Sequence, residues 1–125
     1  MKILVVDDEH IVARALSRAF SSRGHEVVVA HSGEEGLERW IVTAPDAVLL
    51  DVVMPGLTGP QVIEEYAKKE DKGSRAQIIL MTAHSGVKGR EAARELGADE
   101  FIQKPFEDVF KLVSQIESLV RTPKK

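Results

Sequence analysis

The chain has 125 residues, 43% hydrophobic and 30% charged, which is typical of a single globular domain rather than of a disordered or fibrous chain. Its formal net charge of -3 provides no general attraction to nucleic acid or anionic lipid, so we expect neither as a direct partner. Because the sequence contains no cysteine, disulfides, thiolate metal sites and cysteine nucleophiles are all excluded.

The first apolar run, Ile3 to Val6, is followed at once by three acidic residues. It is too short for a signal peptide or a membrane span, and we therefore expect a soluble, cytoplasmic protein without a membrane partner. No linker, internal repeat or low-complexity segment divides the sequence, and only residues 122–125 have the composition of a tail. We predict one domain, residues 1–125.

Short aliphatic and β-branched runs alternate with helical patterns along the whole chain. The central runs are apolar at consecutive positions, which is typical of strands that are buried on both faces. The alternation predicts an α/β domain with a parallel sheet between two layers of helices. The predicted strands are Ile3–Val6, Val27–Ala30, Ala47–Leu50, Ile78–Met81 and Phe101–Gln103.

The first two helices have recognisable ends. Apolar residues recur at helical spacing from Val12 to Ala19, and Gly24 is expected to end that helix before the second strand. The second helix begins after Ser32, with Glu35 three residues later, which fits a capping box.

The third helix has a similar start, with Thr58 three residues before Gln61 and Pro60 in the first turn, where its missing N–H costs nothing. The fourth helix, between Ser85 and Leu96, has the weakest pattern because two glycines lower its propensity by about 1 kcal/mol each. The last helix carries an apolar face made of Val109, Leu112, Val113, Ile116 and Val120.

Polar residues stand where four of the predicted strands end: Asp7 and Asp8 after the first, Asp51 after the third, Thr82 after the fourth and Lys104 after the fifth. Ligands of doubly wound sheets bind beyond the carboxyl ends of the strands, so these side chains should meet at one edge. Three carboxylates at one site repel each other unless a cation neutralises them, and magnesium suits carboxylate ligands and a phosphate-bearing partner. The spacing therefore indicates a Mg²⁺ site for phosphoryl chemistry.

The sequence closely resembles response regulator receiver domains over essentially its whole length. This resemblance implies a doubly wound (βα)5 flavodoxin-like sandwich, whose five-stranded parallel sheet has the strand order 2-1-3-4-5. It also implies a cis peptide bond between Lys104 and Pro105. The motifs that carry the resemblance are Asp7-Asp8, Asp51-Val52-Val53-Met54-Pro55-Gly56, Thr82-Ala83 and Lys104-Pro105-Phe106.

The resemblance assigns the chemistry to particular residues. Asp51 would be the nucleophile that accepts a phosphoryl group from a phosphohistidine of a sensor histidine kinase or phosphotransfer protein. Asp8 and Asp51 would ligate Mg²⁺ together with the backbone carbonyl of Val53, while Asp7 would act directly or through a bound water. The domain would then be a phosphoacceptor that assists its own phosphorylation and dephosphorylation, and not an enzyme.

The same resemblance predicts how phosphorylation changes the domain. Lys104 would pair with one phosphoryl oxygen and the Thr82 hydroxyl would hydrogen-bond another. Movement of Thr82 would let Phe101 rotate inward and remodel the face formed by the fourth helix, fifth strand and fifth helix, with Lys88 to Gly97 as the most affected segment. That face would bind a downstream target or output domain, or form a homodimer.

Each of these residues also has a purely structural explanation. Asp7 and Asp8 could begin a helix, Asp51 could belong to a turn, and Thr82 and Lys104 could be ordinary strand-end residues. Their coincidence on four strand ends favours the functional interpretation, because the structural explanations are independent of one another.

Other function classes fit less well. A phosphatase of the haloacid dehalogenase type needs an acid two residues after its nucleophile, where this chain has Val53. A nucleotide or flavin binder needs a Gly-x-Gly-x-x-Gly loop after the first strand, which is absent. The remaining alternative is a degenerate receiver that acts only as a protein-interaction module. The four histidines lack metal-ligand spacing and are expected to be solvated; they are His10, His25, His31 and His84.

Overall fold

The computed structural model describes residues 1–69, 76–83 and 89–121. Within these ranges five strands alternate with five helices, as the hydrophobic pattern predicted. The elements are β1 (Lys2–Val6), α1 (His10–Ser22), β2 (Glu26–Ala30), α2 (Gly33–Thr43), β3 (Ala47–Asp51), α3 (Gly59–Lys69), β4 (Gln77–Thr82), α4 (Gly89–Glu95), β5 (Glu100–Gln103) and α5 (Val109–Arg121).

All strand pairs of the sheet are parallel, and the strands lie side by side in the order β2-β1-β3-β4-β5. The order reverses between β1 and β3, where a crevice opens at the carboxyl edge of a doubly wound sheet. The predicted (βα)5 flavodoxin-like fold and its 2-1-3-4-5 strand order are thus confirmed.

The consecutive apolar residues of β1, β3 and β4 bury both faces of the sheet, because successive strand side chains point to opposite sides. Leu4, Leu50 and Leu80 face one side, where α2, α3 and α4 cover them with residues such as Trp40 and Val62. On the other side α1 and α5 cover the sheet. Residues facing those two helices include Ile3, Val5, Leu49, Ile79 and Met81.

Helix ends largely follow the predicted signals. Gly24 adopts a positive φ of 86°, and the backbone N–H of Gly24 donates to Ser21, so α1 ends where glycine was expected to end it. At α3 the backbone N–H of Gln61 donates to Thr58 Oγ1, and the N–H of Thr58 donates back to Gln61 Oε1. This reciprocal pair is a complete capping box.

The start of α2 differs in one contact. The backbone N–H of Glu35 donates to Ser32 Oγ at 3.1 Å, as predicted. However, the Glu35 carboxylate accepts from the backbone N–H of His31 and not from that of the N-cap residue. Both bonds still satisfy backbone groups at the helix start.

Of the helix predicted between Ser85 and Leu96, the described part is α4, Gly89–Glu95, and positions 84–88 lie outside the described residues. The predicted tail, 122–125, also lies outside them. Across the described ranges, no helix is both long and apolar enough to cross a membrane.

Candidate functional site

The carboxyl edge of the sheet brings the predicted polar residues together. Asp7 directly follows β1 and Lys104 directly follows β5. Asp51 and Thr82 were expected after their strands but are the last residues of β3 and β4, because the ladders continue through the pairs Asp51–Met81 and Thr82–Gln103. Strand pairing therefore fixes the backbone at both positions.

Lys104 is the centre of the site. Its ammonium nitrogen lies 2.7 Å from Asp7 Oδ2, 3.0 Å from Glu9 Oε1 and 3.2 Å from Asp51 Oδ2. Its backbone N–H donates to the carbonyl of Thr82 at 2.8 Å, which ties the residue to the end of β4. The peptide bond between Lys104 and Pro105 is cis, as predicted. A lysine ammonium has three donors, and here three carboxylates surround it.

The carboxylate of Asp7 is completely buried and held in one orientation. Its backbone N–H donates to the carbonyl of Ala30, which continues the pairing of β1 with β2. Its Oδ1 accepts a hydrogen bond from the backbone N–H of Glu9 at 2.9 Å. Its Oδ2 accepts no well-aligned hydrogen bond from the described residues and only faces the ammonium of Lys104. The charge of this buried oxygen is therefore balanced by the ammonium of Lys104.

The environment of Asp51 changes its acidity. Burial raises the pKa of the Asp51 carboxyl, the neighbouring charge of Asp7 raises it as well, and Lys104 lowers it; the net result is a pKa of about 6. For Lys104, burial would lower the pKa of the ammonium, but its close contacts with the carboxylates of Asp7 and Glu9 outweigh burial and raise that pKa. Lys104 therefore stays charged, whereas Asp51 is costly to ionise in the metal-free site.

The acidic cluster fits the magnesium ion that the resemblance implies. Carboxylate oxygens of Asp7, Asp8 and Asp51 lie within 4.8 Å of one another, close enough to share one cation. Asp8 is half-buried and Asp51 is almost fully buried, so the cluster opens to solvent on the side of Asp8. An all-oxygen donor set with one accessible side suits a hard divalent cation that keeps some of its waters.

The loop after β3 is held against the site. The backbone N–H of Val52 donates to the carbonyl of Met81, and that of Gly59 donates to the carbonyl of Val52. At Gly59 an added Cβ would lie 2.6 Å from the carbonyl oxygen of Asp51, so the start of α3 packs against the end of β3 only because this residue is glycine. The Val53 side chain is exposed, and its backbone carbonyl remains a predicted ligand.

The two predicted switch residues occupy different depths. Thr82 is buried at the end of β4. Phe101 pairs with Leu80 across the sheet and is half-buried against the core beneath α2, α3 and α4. Their predicted coupled movement concerns a second state of the domain and remains a prediction.

Glu9 is a site residue that the sequence analysis did not identify. It precedes α1 as its N-cap, and its side chain reaches Lys104 although the two residues are 95 positions apart. The sequence did contain a signal for Glu9, because it directly follows Asp7 and Asp8, and these three acids come immediately after a strand that ends at the site.

The expectation of solvated histidines is wrong for His25. Its side chain is only 13% exposed, and its Nε2 lies 2.6 Å from the carboxylate of Glu117 on α5, which also binds Arg23. The hydrogen bond with His25 holds the pKa of the Glu117 carboxyl below its usual range, and the charge of Arg23 contributes as well. This network lies at the amino-terminal edge of the sheet and not at the acidic cluster.

Two further histidines lie beside the site without forming a metal pair. The rings of His10 and His31 stack with centroids 3.9 Å apart and an angle of 10° between their planes. Nδ1 of His31 lies 3.2 Å from the carbonyl oxygen of Asp7. Two imidazoles that bind one metal have centroids farther apart than stacked rings do, so the pair packs rather than chelates. His84 lies outside the described residues.

Curated proteins with similar sequences are longer than this chain. Response regulator MprA of Mycobacterium avium (strain 104) is 37% identical over 124 residues, which cover 99% of this chain and 53% of MprA. The probable transcriptional regulator ycf27 of Cyanophora paradoxa is 43% identical over 120 residues, which cover 96% of this chain and 48% of that protein. The chain thus spans about half the length of these curated relatives.

Solved structures agree with the fold. A putative response regulator from Chloroflexus aurantiacus superimposes with a TM-score of 0.83 at 30% identity, covering 97% of this chain and 98% of that one. The response regulator TrrA from Thermotoga maritima, solved in complex with Mg(2+)-BeF, gives 0.77 at 35% identity, covering 94% and 97%. The family model of the response regulator receiver domain matches residues 3–117, a span that contains every acid, threonine and lysine of the site. The chain therefore belongs to the response regulator receiver domain family.

Proposed function

We propose that this domain accepts a phosphoryl group on Asp51 from the phosphohistidine of a sensor histidine kinase or phosphotransfer protein. One observation carries the proposal: a nearly buried carboxylate at the end of β3 lies within a few ångströms of two further acids and of the Lys104 ammonium. Such an arrangement combines a fixed nucleophile with the charges that a transferred phosphoryl group needs.

The transfer is a displacement at phosphorus. A carboxylate oxygen of Asp51 forms the new O–P bond while the P–N bond to the donor histidine breaks, and the imidazole leaves with the electron pair and takes a proton from solvent. Lys104 is already beside Asp51 and would bind one phosphoryl oxygen, while the hydroxyl of Thr82 would bind another. Because charge spreads over the phosphoryl oxygens in the transition state, these contacts lower the barrier mainly by electrostatics and positioning.

Magnesium is the proposed cofactor. Asp8, Asp51 and the backbone carbonyl of Val53 would hold it, and Asp7 would contact it directly or through water. When bound, the ion supplies positive charge for the phosphoryl oxygens and offsets the repulsion among the acids. The three carboxylates, whose oxygens lie within 4.8 Å of one another, support this assignment.

The signalling partners follow from the same proposal. Phosphorylation would draw Thr82 toward Asp51, allow Phe101 to rotate inward, and remodel the face of α4, β5 and α5. This face would bind a target, an output domain or a second copy of the chain. MprA and ycf27 are about twice as long as the aligned region, and the second of them is named a probable transcriptional regulator, so an output domain beyond this chain is a natural partner. A cytoplasmic location belongs to the proposal, and the absence of cysteine is compatible with it.

The alternative is a degenerate receiver that acts only by binding proteins. The joint presence of Asp7, Asp8, Asp51 and Lys104 in one contact network favours a phosphoacceptor, because a domain that only binds proteins has no need for three neighbouring carboxylates. The same domain would assist its own phosphorylation and dephosphorylation without acting on free substrates.

Intact mass spectrometry tests the proposal. The chain is incubated with acetyl phosphate or phosphoramidate and Mg²⁺, and it should gain the mass of one phosphoryl group. Asp51→Asn and removal of Mg²⁺ by a chelator should each abolish the gain. An unchanged mass in the wild-type protein supports the degenerate alternative, and an undiminished gain in Asp51→Asn contradicts the assigned site.

Hydrogen exchange with and without beryllofluoride tests the proposed switch separately. Changes in protection should concentrate in α4, Phe101 and the start of α5. Changes confined to α2 and α3 would contradict the signalling route while leaving the phosphorylation site intact.

A further inference from the structure

Glu9 contacts Lys104 but has no part in the phosphoryl transfer described above. Its backbone N–H fixes Oδ1 of Asp7, and its own Oε1 lies 3.0 Å from the Lys104 ammonium. The Glu9 side chain is 61% exposed, whereas the side chain of Lys104 is only 8% exposed. An exposed carboxylate therefore contacts a lysine that is itself almost fully buried.

The donors of Lys104 limit what can happen when Asp51 is phosphorylated. The ammonium has three N–H groups, and Asp7, Glu9 and Asp51 each provide one nearby acceptor. A phosphoryl oxygen attached to Asp51 lies farther from the β3 backbone than the carboxylate does. The ammonium must turn or extend to reach it, and this movement weakens one of its other two contacts.

The two remaining partners differ in what their release costs. Asp7 is completely buried and its Oδ2 lies 2.7 Å from the ammonium, so losing this contact would remove a close partner of a buried charge that water cannot replace. Glu9 is exposed, and water replaces the lysine there at little cost. The partner that Lys104 gives up should therefore be Glu9.

We propose that Glu9 is a positioning residue that holds Lys104 in the unphosphorylated domain and releases it to the phosphoryl oxygen when Asp51 is phosphorylated. This inference rests on the proposed phosphorylation of Asp51. It makes Glu9 a competitor of the phosphoryl group for the same cation. It also means that phosphorylation frees an acidic side chain at the start of α1, on the side of the domain away from α4.

Binding of beryllofluoride in the presence of saturating Mg²⁺ measures the competition. Glu9→Gln should bind this phosphoryl mimic about two- to fivefold more tightly than the wild-type protein, because an exposed ion pair contributes a free energy of that size. Glu9→Ala, which removes the acceptor altogether, should tighten binding at least as much. Glu38→Gln removes a charge from the exposed surface of α2 and should leave the dissociation constant unchanged.

A second measurement separates release of the lysine from simple loss of a nearby negative charge. In protein labelled at lysine, the NMR signal of the Lys104 side chain should differ between the wild-type protein and Glu9→Gln before beryllofluoride is added. The two signals should coincide once Mg²⁺ and beryllofluoride are bound, because Lys104 has then left Glu9 in both proteins. A difference that persists in the bound state overturns the proposal.

The outcomes distinguish this inference from the proposed function. If the wild-type domain binds beryllofluoride and is phosphorylated but Glu9→Gln has the same dissociation constant, the role of Glu9 is refuted and the function stands. If the wild-type domain neither binds beryllofluoride nor gains a phosphoryl group, the proposed function fails and the role of Glu9 fails with it.

Discussion

Replacement of Asp51 by asparagine should stabilise the metal-free domain at neutral pH. Burial and the charge of Asp7 raise the pKa of Asp51 from 3.8 to about 6, so the folded protein binds this proton more tightly than the unfolded chain does. Stability from this group is therefore complete below about pH 3.8 and is lost as the pH rises through about 6. Asparagine has nearly the same shape and carries no charge, so it avoids this loss.

The size of the effect follows from the shift. The difference between 3.8 and about 6 corresponds to roughly 3 kcal/mol in the free energy of unfolding. Solvent reaches the site on the side of Asp8 and screens part of the repulsion, so we expect about 1–2 kcal/mol at pH 7.5. The advantage of Asp51→Asn should be small near pH 4, grow as the pH rises to about 7, and stay constant above that.

Urea unfolding followed by circular dichroism, in the presence of a chelator and at several pH values, measures this difference. Glu38→Gln, on the exposed surface of α2, is the matched control and should show no such pH dependence. Added Mg²⁺ should stabilise the wild-type protein more than Asp51→Asn, because the variant has lost a ligand. A pH-independent difference between wild type and Asp51→Asn, or a variant that loses stability relative to wild type as the pH rises, would refute the reasoning.

Three other substitutions test separate parts of the structure. Asp8→Ala should weaken Mg²⁺ binding in calorimetry far more than Asp7→Ala, because one oxygen of Asp7 accepts a backbone hydrogen bond and the other faces Lys104. Equal losses of affinity in the two variants would contradict the assignment of Asp8 as the direct ligand. Gly59→Ala should lower the free energy of unfolding, measured by urea titration, by about 1–3 kcal/mol, because the added Cβ would lie 2.6 Å from the carbonyl oxygen of the last β3 residue. Unchanged stability would show that α3 can move away from β3 at little cost. Glu117→Gln should lower the melting temperature at neutral pH, because the hydrogen bond with His25 that depresses the Glu117 pKa stabilises the charged carboxylate. The difference in melting temperature from wild type should shrink as acid protonates that carboxylate. A difference that does not change with pH would rule out the Glu117 charge as its cause.

Much of the fold was predictable because its signals are local. Consecutive apolar residues in β1, β3 and β4 require burial on both faces, and glycine and capping residues set the ends of α1 and α3. Parallel strands separated by helices then place their carboxyl ends on one edge. The convergence of Asp7, Asp51 and Lys104 on that edge follows from strand position alone, and the contacts among them confirm it.

The partners of individual side chains were decided by the tertiary structure. In the sequence Glu9 is only the last of three acids after the first strand, and it reaches Lys104 because β1 and β5 end at the same edge, where α1 places its N-cap. His25 looked solvated, yet the packing of α1 against α5 places it on Glu117, 92 positions away. Local sequence determines which backbone conformation a residue takes and which way its element faces. Which charges meet depends on long-range packing, and the packing also supplies the burial that raises the pKa of Asp51.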